Sequence, residues 1–333
     1  MCLSALALPA CRAQKLDHSA QTPLQTSAEL VRVGVSVLDK HGNFLGGLSA
    51  NDFRILDSGA EKPIVAFAPV EDPAQVLVLI ETSPAVYLIH NEHLAAAYAL
   101  LDGLAANDEV ALGTYDQAPH VLLKFTQQKS ALLAALGELQ YTIGMGELNF
   151  YDSLSAVLDW LEPVTGKRAL VLLTTGLDSS PPAHWDALVR KLRGSDVVIF
   201  PVALGGSLRG DRDKKSKASR GAPKSHQQEA GTSRADGGET GFARADNALV
   251  SLATMTGGRA YFPKSDKDFV PIYREIASAL RHQYVLGIVP AHDGQFHPLT
   301  VEILDKRGQP ENRPGKRGKY RAFAREGYLA PGP

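Results

Sequence analysis

Three stretches of this chain are apolar almost without interruption: "QVLVLIETS" (75–83), "RALVLLTTG" (168–176) and "DVVIFPVAL" (196–204). Runs of this kind, lacking the alternation of a half-exposed strand, predict parallel strands covered on both faces. The segments between them are amphipathic at helical spacing. In "NFYDSLSAVLDWL", Phe150, Leu154, Val157, Leu158 and Leu161 share one face. "HLAAAYALLDGL" and "HWDALVRKLRG" have comparable character, and "DEVALGTYDQAPHVLLKFT" reads as two strands joined by a tight turn. Alternating strands and helices predict a three-layer α/β domain over residues 75–283, with its ligand edge at the carboxyl ends of the strands.

The two ends of the chain follow another pattern. "VRVGVSVLD" alternates apolar and polar residues, and the Gly-containing turns after it mark residues 29–70 as a small antiparallel β unit. Near the other end, "YVLGIVP", "HPLTVEILD" and "YRAFAREGYLA" within 284–330 read as strands that pair with that unit. The sequence thus predicts one β domain built from both termini. Before these strands, "NALVSLATMTGG" is a helix stopped by Gly257-Gly258, and "RAYFP" is a short strand. "DFVPIYREIASALRHQ" sets Phe269, Ile272, Tyr273, Ile276 and Leu280 on one helical face, with Pro271 near its start.

Residues 206–244 break the pattern. They are polar, rich in Gly and Ser and almost without large apolar side chains, so they predict a disordered insertion. Arg209-Gly210-Asp211 within it is a short match to an adhesion tripeptide, and Lys214, Lys215 and Lys217 read as a solvated linker. Formal net charge over the 333 residues is −1, which gives no sign of nucleic acid or an anionic membrane as partner. No stretch reaches the ~20 apolar residues of a membrane-spanning helix. The opening "MCLSALALPACRAQ" reads as the remnant of a signal peptide over residues 1–13, with cleavage after Ala10 or Ala13. This implies export, and Leu8-Pro9-Ala10-Cys11 offers Cys11 as a lipid-anchor residue. Both cysteines, Cys2 and Cys11, fall in that segment, leaving the rest without disulfides or thiol chemistry.

In order and spacing, "VLDKHGNFLGGLSANDFRILDSG", "LVLIETS", "FYDSL", "LVLLTTGLDSS", "SLATMTGGRAYFP", "LRHQYVLGIVP" and "REGYLAP" resemble the von Willebrand factor type A domain. Within that superfamily the likeness is to the VWFA-related domain family of exported bacterial proteins. The resemblance implies a Rossmann-like fold and a metal-ion-dependent adhesion site holding Mg²⁺. In such a site Asp-x-Ser-x-Ser follows the first strand, a second loop adds a Thr, and a third adds an Asp. Mg²⁺ requires oxygen ligands at about 2.0–2.1 Å in near-octahedral array.

Set against that pattern, the first loop supplies Glu81, Ser83 and Ala85, the second supplies Leu148, and the third supplies Thr175. Ser83 alone matches in identity, Glu81 and Thr175 keep an oxygen, and Ala85 and Leu148 have none to offer. The resemblance therefore implies a degenerate adhesion site with no cofactor, in which Ser83 and Thr175 serve backbone groups. Rescue of Mg²⁺ binding would call on Glu81 and Ser83 together with Glu147, Asp178 or Asp116, none of the last three at a matching position. His90 and His93, at i and i+3, would suit a softer metal but lack a third ligand.

Enzymatic motifs are missing. Pro84 removes an N–H from the turn where a nucleotide phosphate would sit, and no Gly-rich phosphate loop occurs. Ser83 with His184 would need the Gly-x-Ser-x-Gly elbow that "ETSPA" lacks. The expectation is a non-enzymatic, exported module that binds another protein through the loops around Glu81, Ser83, Ala85, Leu148, Thr175 and Asp178. The alternatives are a structural envelope component with a vestigial site and an Mg²⁺-dependent adhesin.

Overall fold

The computed structural model describes residues 30–68, 73–83, 90–139, 147–179, 182–205, 235–311 and 319–332. The chain begins with β1 (Val31–Asp39), β2 (Phe53–Asp57), β3 (Ala60–Lys62) and β4 (Ala66–Ala68). The central part follows with β5 (Ala74–Glu81), α1 (His90–Gly103), β6 (Glu109–Tyr115), β7 (Pro119–Thr126) and α2 (Lys129–Gly137). It continues through α3 (Phe150–Leu161), β8 (Lys167–Thr174), α4 (Pro182–Gly194), β9 (Val198–Ala203), α5 (Ala235–Thr256) and α6 (Phe269–Arg281). Last come β10 (Gln283–Ile288), β11 (Phe296–Ile303), β12 (Tyr320–Ala324) and β13 (Gly327–Leu329).

The central sheet runs β7-β6-β5-β8-β9, parallel throughout except for the β6/β7 hairpin. Successive side chains of a strand point to opposite faces. Along β5, Val76, Val78 and Ile80 enter a core with α1, α2 and α6, while Leu77 and Leu79 enter a second core with α3, α4 and α5. This is why "VLVLI" must be apolar throughout.

Both chain ends build the β part, as the alternating patterns predict. β1 pairs with β10 and β12, and β2 pairs with β11, all antiparallel. The result is two four-stranded sheets, β12-β1-β10-β4 and β13-β11-β2-β3, which enclose a third core containing Val33, Val35, Val37, Ile55, Tyr284 and Ile303.

One expectation is corrected. Helix α5 starts at Ala235, so the last ten residues of the 206–244 segment are helical; residues 206–234 lie outside the described part. Beyond Gly241 this helix supplies Ala245, Ala248, Leu249, Leu252 and Ala253 to the buried face, an i, i+3, i+4 pattern that extends the apolar stripe upstream of "NALV". Tyr261 of "RAYFP" forms only a single parallel bridge, to Val202.

Among the described residues the sandwich buries one carboxylate, Asp57, which is 3% exposed. It accepts from Tyr328 Oη at 2.9 Å and pairs with His297 Nδ1 at 2.6 Å, while His297 Nε2 reaches Asp293 at 3.0 Å. The hydrogen bonds to Asp57 and Asp293 raise the His297 pKa above its ordinary value. Burial works against the Asp57 carboxylate, but its hydrogen bonds from His297, Tyr328 and Ser58 outweigh that and lower its pKa. The raised His297 stabilises the fold below its unfolded value of 6.5, and this is lost as pH rises through its folded value. The lowered Asp57 stabilises above 3.8 and is lost as pH falls. The melting temperature therefore falls as pH rises above the unfolded value of 6.5 through the raised folded value, and His297→Phe, which keeps a ring beside Tyr328, flattens that slope. An unchanged slope in the variant contradicts this assignment.

Candidate functional site

β5 lies between β6 and β8, so the connections leaving it and its neighbours diverge at the carboxyl end of the sheet. Such a switch point opens a crevice in a parallel α/β sheet. Three residues that end adjacent strands meet there: Glu81 of β5, Tyr115 of β6 and Thr174 of β8.

Glu81 is 0% exposed. Its carboxylate accepts from Tyr115 Oη at 3.0 Å, Thr174 Oγ1 at 3.0 Å, Thr175 N at 2.7 Å and Thr175 Oγ1 at 2.9 Å. Burial, with the Glu81 charge next to it, pushes the Tyr115 phenol far above its ordinary range, so it keeps its proton and can donate. Tyr115 Oη and Thr174 Oγ1 also lie 2.5 Å apart. The two threonines in turn accept from the backbone, Thr174 Oγ1 from Gly176 N at 2.8 Å and Thr175 Oγ1 from Leu177 N at 3.3 Å. The carboxylate thus fastens three strand ends and the loop after β8.

The other candidates form an outer tier. Asp178 Oδ1 accepts from Phe150 N at 2.8 Å, taking up one of the orphan donors that open α3. Asn149 leaves that role vacant because its side chain donates to Gln117 O at 3.0 Å. Leu148 is half-buried, and its carbonyl accepts from Ser179 N at 2.9 Å, tying the second loop to the third. Asp116 joins through its carbonyl, which accepts from Asn149 N at 3.0 Å. Glu147 is exposed. Ser83 Oγ is buried without a hydrogen-bond partner among the described residues, unlike Thr175. His184 pairs through Nδ1 with Asp152 Oδ1 at 2.6 Å on the α3–α4 surface. Ala85 and the side chains of His90 and His93 lie outside the described part.

These residues do not fit Mg²⁺. Both Glu81 oxygens accept from Thr175, Leu148 offers no side-chain oxygen, and among the described residues no group of three or more His, Cys, Asp or Glu is placed to hold a metal ion. The sequence analysis missed Tyr115 and Thr174. The β5–β6 register, which puts Glu81 beside Tyr115, is the signal that links "LIE" to "GTY".

Beside the third loop a groove of about 600 Å³ opens between α3, α4 and α5. Tyr151, Leu177 and Trp185 form its apolar wall, and Asp178, Asp186 and Arg244 its polar rim. The Tyr151 and Trp185 rings meet at 5.2 Å.

No family model matches the chain, and no curated protein matches it. Solved structures do. A von Willebrand factor type A structure from Catenulispora acidiphila has a TM-score of 0.45 at 10% identity, over 90% of this chain and 75% of that one. An aerotolerance-related membrane protein from Bacteroides fragilis NCTC 9343, carrying multiple mutations to serines, has a TM-score of 0.43 at 17% identity, over 61% and 98%. The vWF domain of the type V pili tip protein Mfa5 from Porphyromonas gingivalis has a TM-score of 0.28 at 19% identity, over 32% and 39%. Von Willebrand factor type A domains are thus among the structures to which the chain is similar. Among the described residues no helix is long and apolar enough to cross a membrane.

Proposed function

We infer that this chain is a non-enzymatic, exported protein-interaction module of the type A kind. It binds a protein partner, without metal, at the carboxyl edge of the central sheet. The observation that carries the reading is the aromatic-walled groove beside the Asp178 loop, next to a Glu81 carboxylate that is closed off from solvent. Apolar walls with a few polar groups at the rim suit an apolar side chain presented on a partner's loop or strand. Leu148 and Ser83 then supply contacts where a metal-dependent adhesion site would place ligands.

The test uses a photo-crosslinker at Leu177 in the full chain, exposed to an envelope extract. Wild type captures a defined partner, and Trp185→Ala and Arg244→Ala each lower its capture at least about tenfold with the melting temperature unchanged. Capture that is indifferent to both substitutions overturns the reading.

A second reading, a structural envelope component, is favoured by edge strand β7. Val121 and Leu122 are 45% and 48% exposed on that open strand, a surface suited to pairing with another copy. Concentration-dependent self-association that Leu122→Lys abolishes would support it.

A further inference from the structure

The turn over residues 289–295 joins β10 to β11 and is fastened to the sandwich from two sides. Gly294 N donates to Pro331 O at 3.0 Å and Ala330 N to Gln295 O at 2.9 Å, tying the turn to the chain after β13. Ala291 N donates to Tyr328 Oη at 3.0 Å, and the same hydroxyl donates to Asp57 at 2.9 Å. The third kind of fastener is Asp293, whose oxygens lie 3.0 Å and 3.2 Å from His297 Nε2. The other ring nitrogen, Nδ1, faces Asp57 at 2.6 Å.

A carboxylate only accepts, so each ring nitrogen needs a proton to bond the oxygen it faces. An imidazolium supplies both N–H groups. A neutral imidazole supplies one and turns a lone pair toward the other carboxylate. The two sides are unequal, since the Asp57 side chain is 2% exposed and that of Asp293 49%. Asp57 has no water to replace a lost donor, so the last proton stays on Nδ1. Asp293 then faces a lone pair, with solvent as its alternative. The neighbouring charged and titratable groups do not replace that proton. Lys62 reaches Asp57 from β3 at 3.8 Å, on the far side from Asp293. Burial and the hydrogen bond to Asp57 raise the Tyr328 pKa, and its proton is already given to Asp57. Arg193 of α4 lies over the Phe296 ring at 4.2 Å, and His292 in the turn is exposed.

We propose that this turn is a proton-operated latch, closed while His297 carries both ring protons and opened at Asp293 when one leaves. The hydrogen bonds to Asp57 and Asp293 raise the His297 pKa above 6.5. The latch is therefore closed below that unfolded value and opens as pH rises through the folded one. Opening withdraws Ala291, which packs on the third core, and uncovers Tyr328 and Ala330, which are 2% and 4% exposed. The loss of stability with pH thus begins at one turn rather than across the whole sandwich.

The experiment is amide hydrogen exchange on the full chain across the His297 titration, read as protection factors so that base catalysis of exchange cancels. Protection at Ala291 and Gly294 falls at least about tenfold as pH rises, while β5 stays protected. Asp293→Asn keeps the turn closed on both sides of the titration, because an amide accepts from the imidazolium and donates to the neutral ring. His292→Gln keeps the wild-type profile, which separates the two imidazoles. His297→Phe leaves the turn open at every pH; should that variant fail to fold, Asp293→Asn, at a half-exposed position, decides alone. A turn that keeps its protection at high pH, or loses it only together with β5, overturns the proposal. So does an Asp293→Asn chain whose turn opens with pH as wild type does.

Discussion

Replacing Glu81 with alanine lowers the free energy of unfolding by about 3–5 kcal/mol. Tyr115 and Thr174 still have each other as partners, so the change does not orphan every donor around the carboxylate. The Thr175 N–H, however, loses its Glu81 acceptor inside a buried site. Each unsatisfied buried donor costs about 1–3 kcal/mol, and the missing side chain leaves a cavity besides. Glu81→Gln keeps the volume and one acceptor oxygen and costs less, about 1–2 kcal/mol. Urea titrations with an unchanged slope measure both. Equal, near-zero losses would mean that Glu81 does not fasten the strand ends.

Gly258→Ala destabilises by about 3 kcal/mol or more. Helix α5 ends in a Schellman motif, with Gly258 N donating to Ala253 O at 2.8 Å and Gly257 N to Thr254 O at 3.4 Å. Gly257 has φ +79°, the left-handed region that favours glycine. Gly258 carries a separate constraint, because a Cβ there would collide with the Ile199 carbonyl oxygen. That oxygen belongs to β9, whose Ile199 pairs in register with Leu170 of β8, so it cannot yield without disturbing the sheet. The Ile199 N–H meanwhile donates to Thr256 Oγ1 at 3.0 Å, which locks the helix end onto the strand. Gly137→Ala, where no atom lies within 4 Å of the new Cβ, is the control and stays within about 0.5 kcal/mol of wild type.

The architecture was legible because period and composition report burial directly. "QVLVLIETS" needs two covered faces, "VRVGVSVLD" needs one or two sheets to alternate against, and Gly257-Gly258 ends a helix by backbone geometry. Helix α5 was harder to place, since its upstream turns are Gly- and charge-rich and are held by packing of the later turns on β9. At the site, the sequence located Glu81 and Thr175 on neighbouring loops. It did not disclose that they bond to each other, because that depends on strand register and on side-chain reach. The Glu81 carboxylate reaches inward to Thr174 and Thr175. The Asp57–His297–Tyr328 cluster was equally hidden, since Asp57 lies more than two hundred residues from both of its partners.

The most direct test is a thermal melt of the wild-type chain and Glu81→Gln in EDTA and in saturating Mg²⁺ or Mn²⁺. An inward-turned carboxylate predicts superimposable curves for each protein in all three conditions, with Glu81→Gln shifted down uniformly. A saturable, cation-specific rise in wild type would contradict it: a site held at 100 times its dissociation constant adds about 2.7 kcal/mol. Loss of that rise in Glu81→Gln would establish that the strand end binds an ion after all.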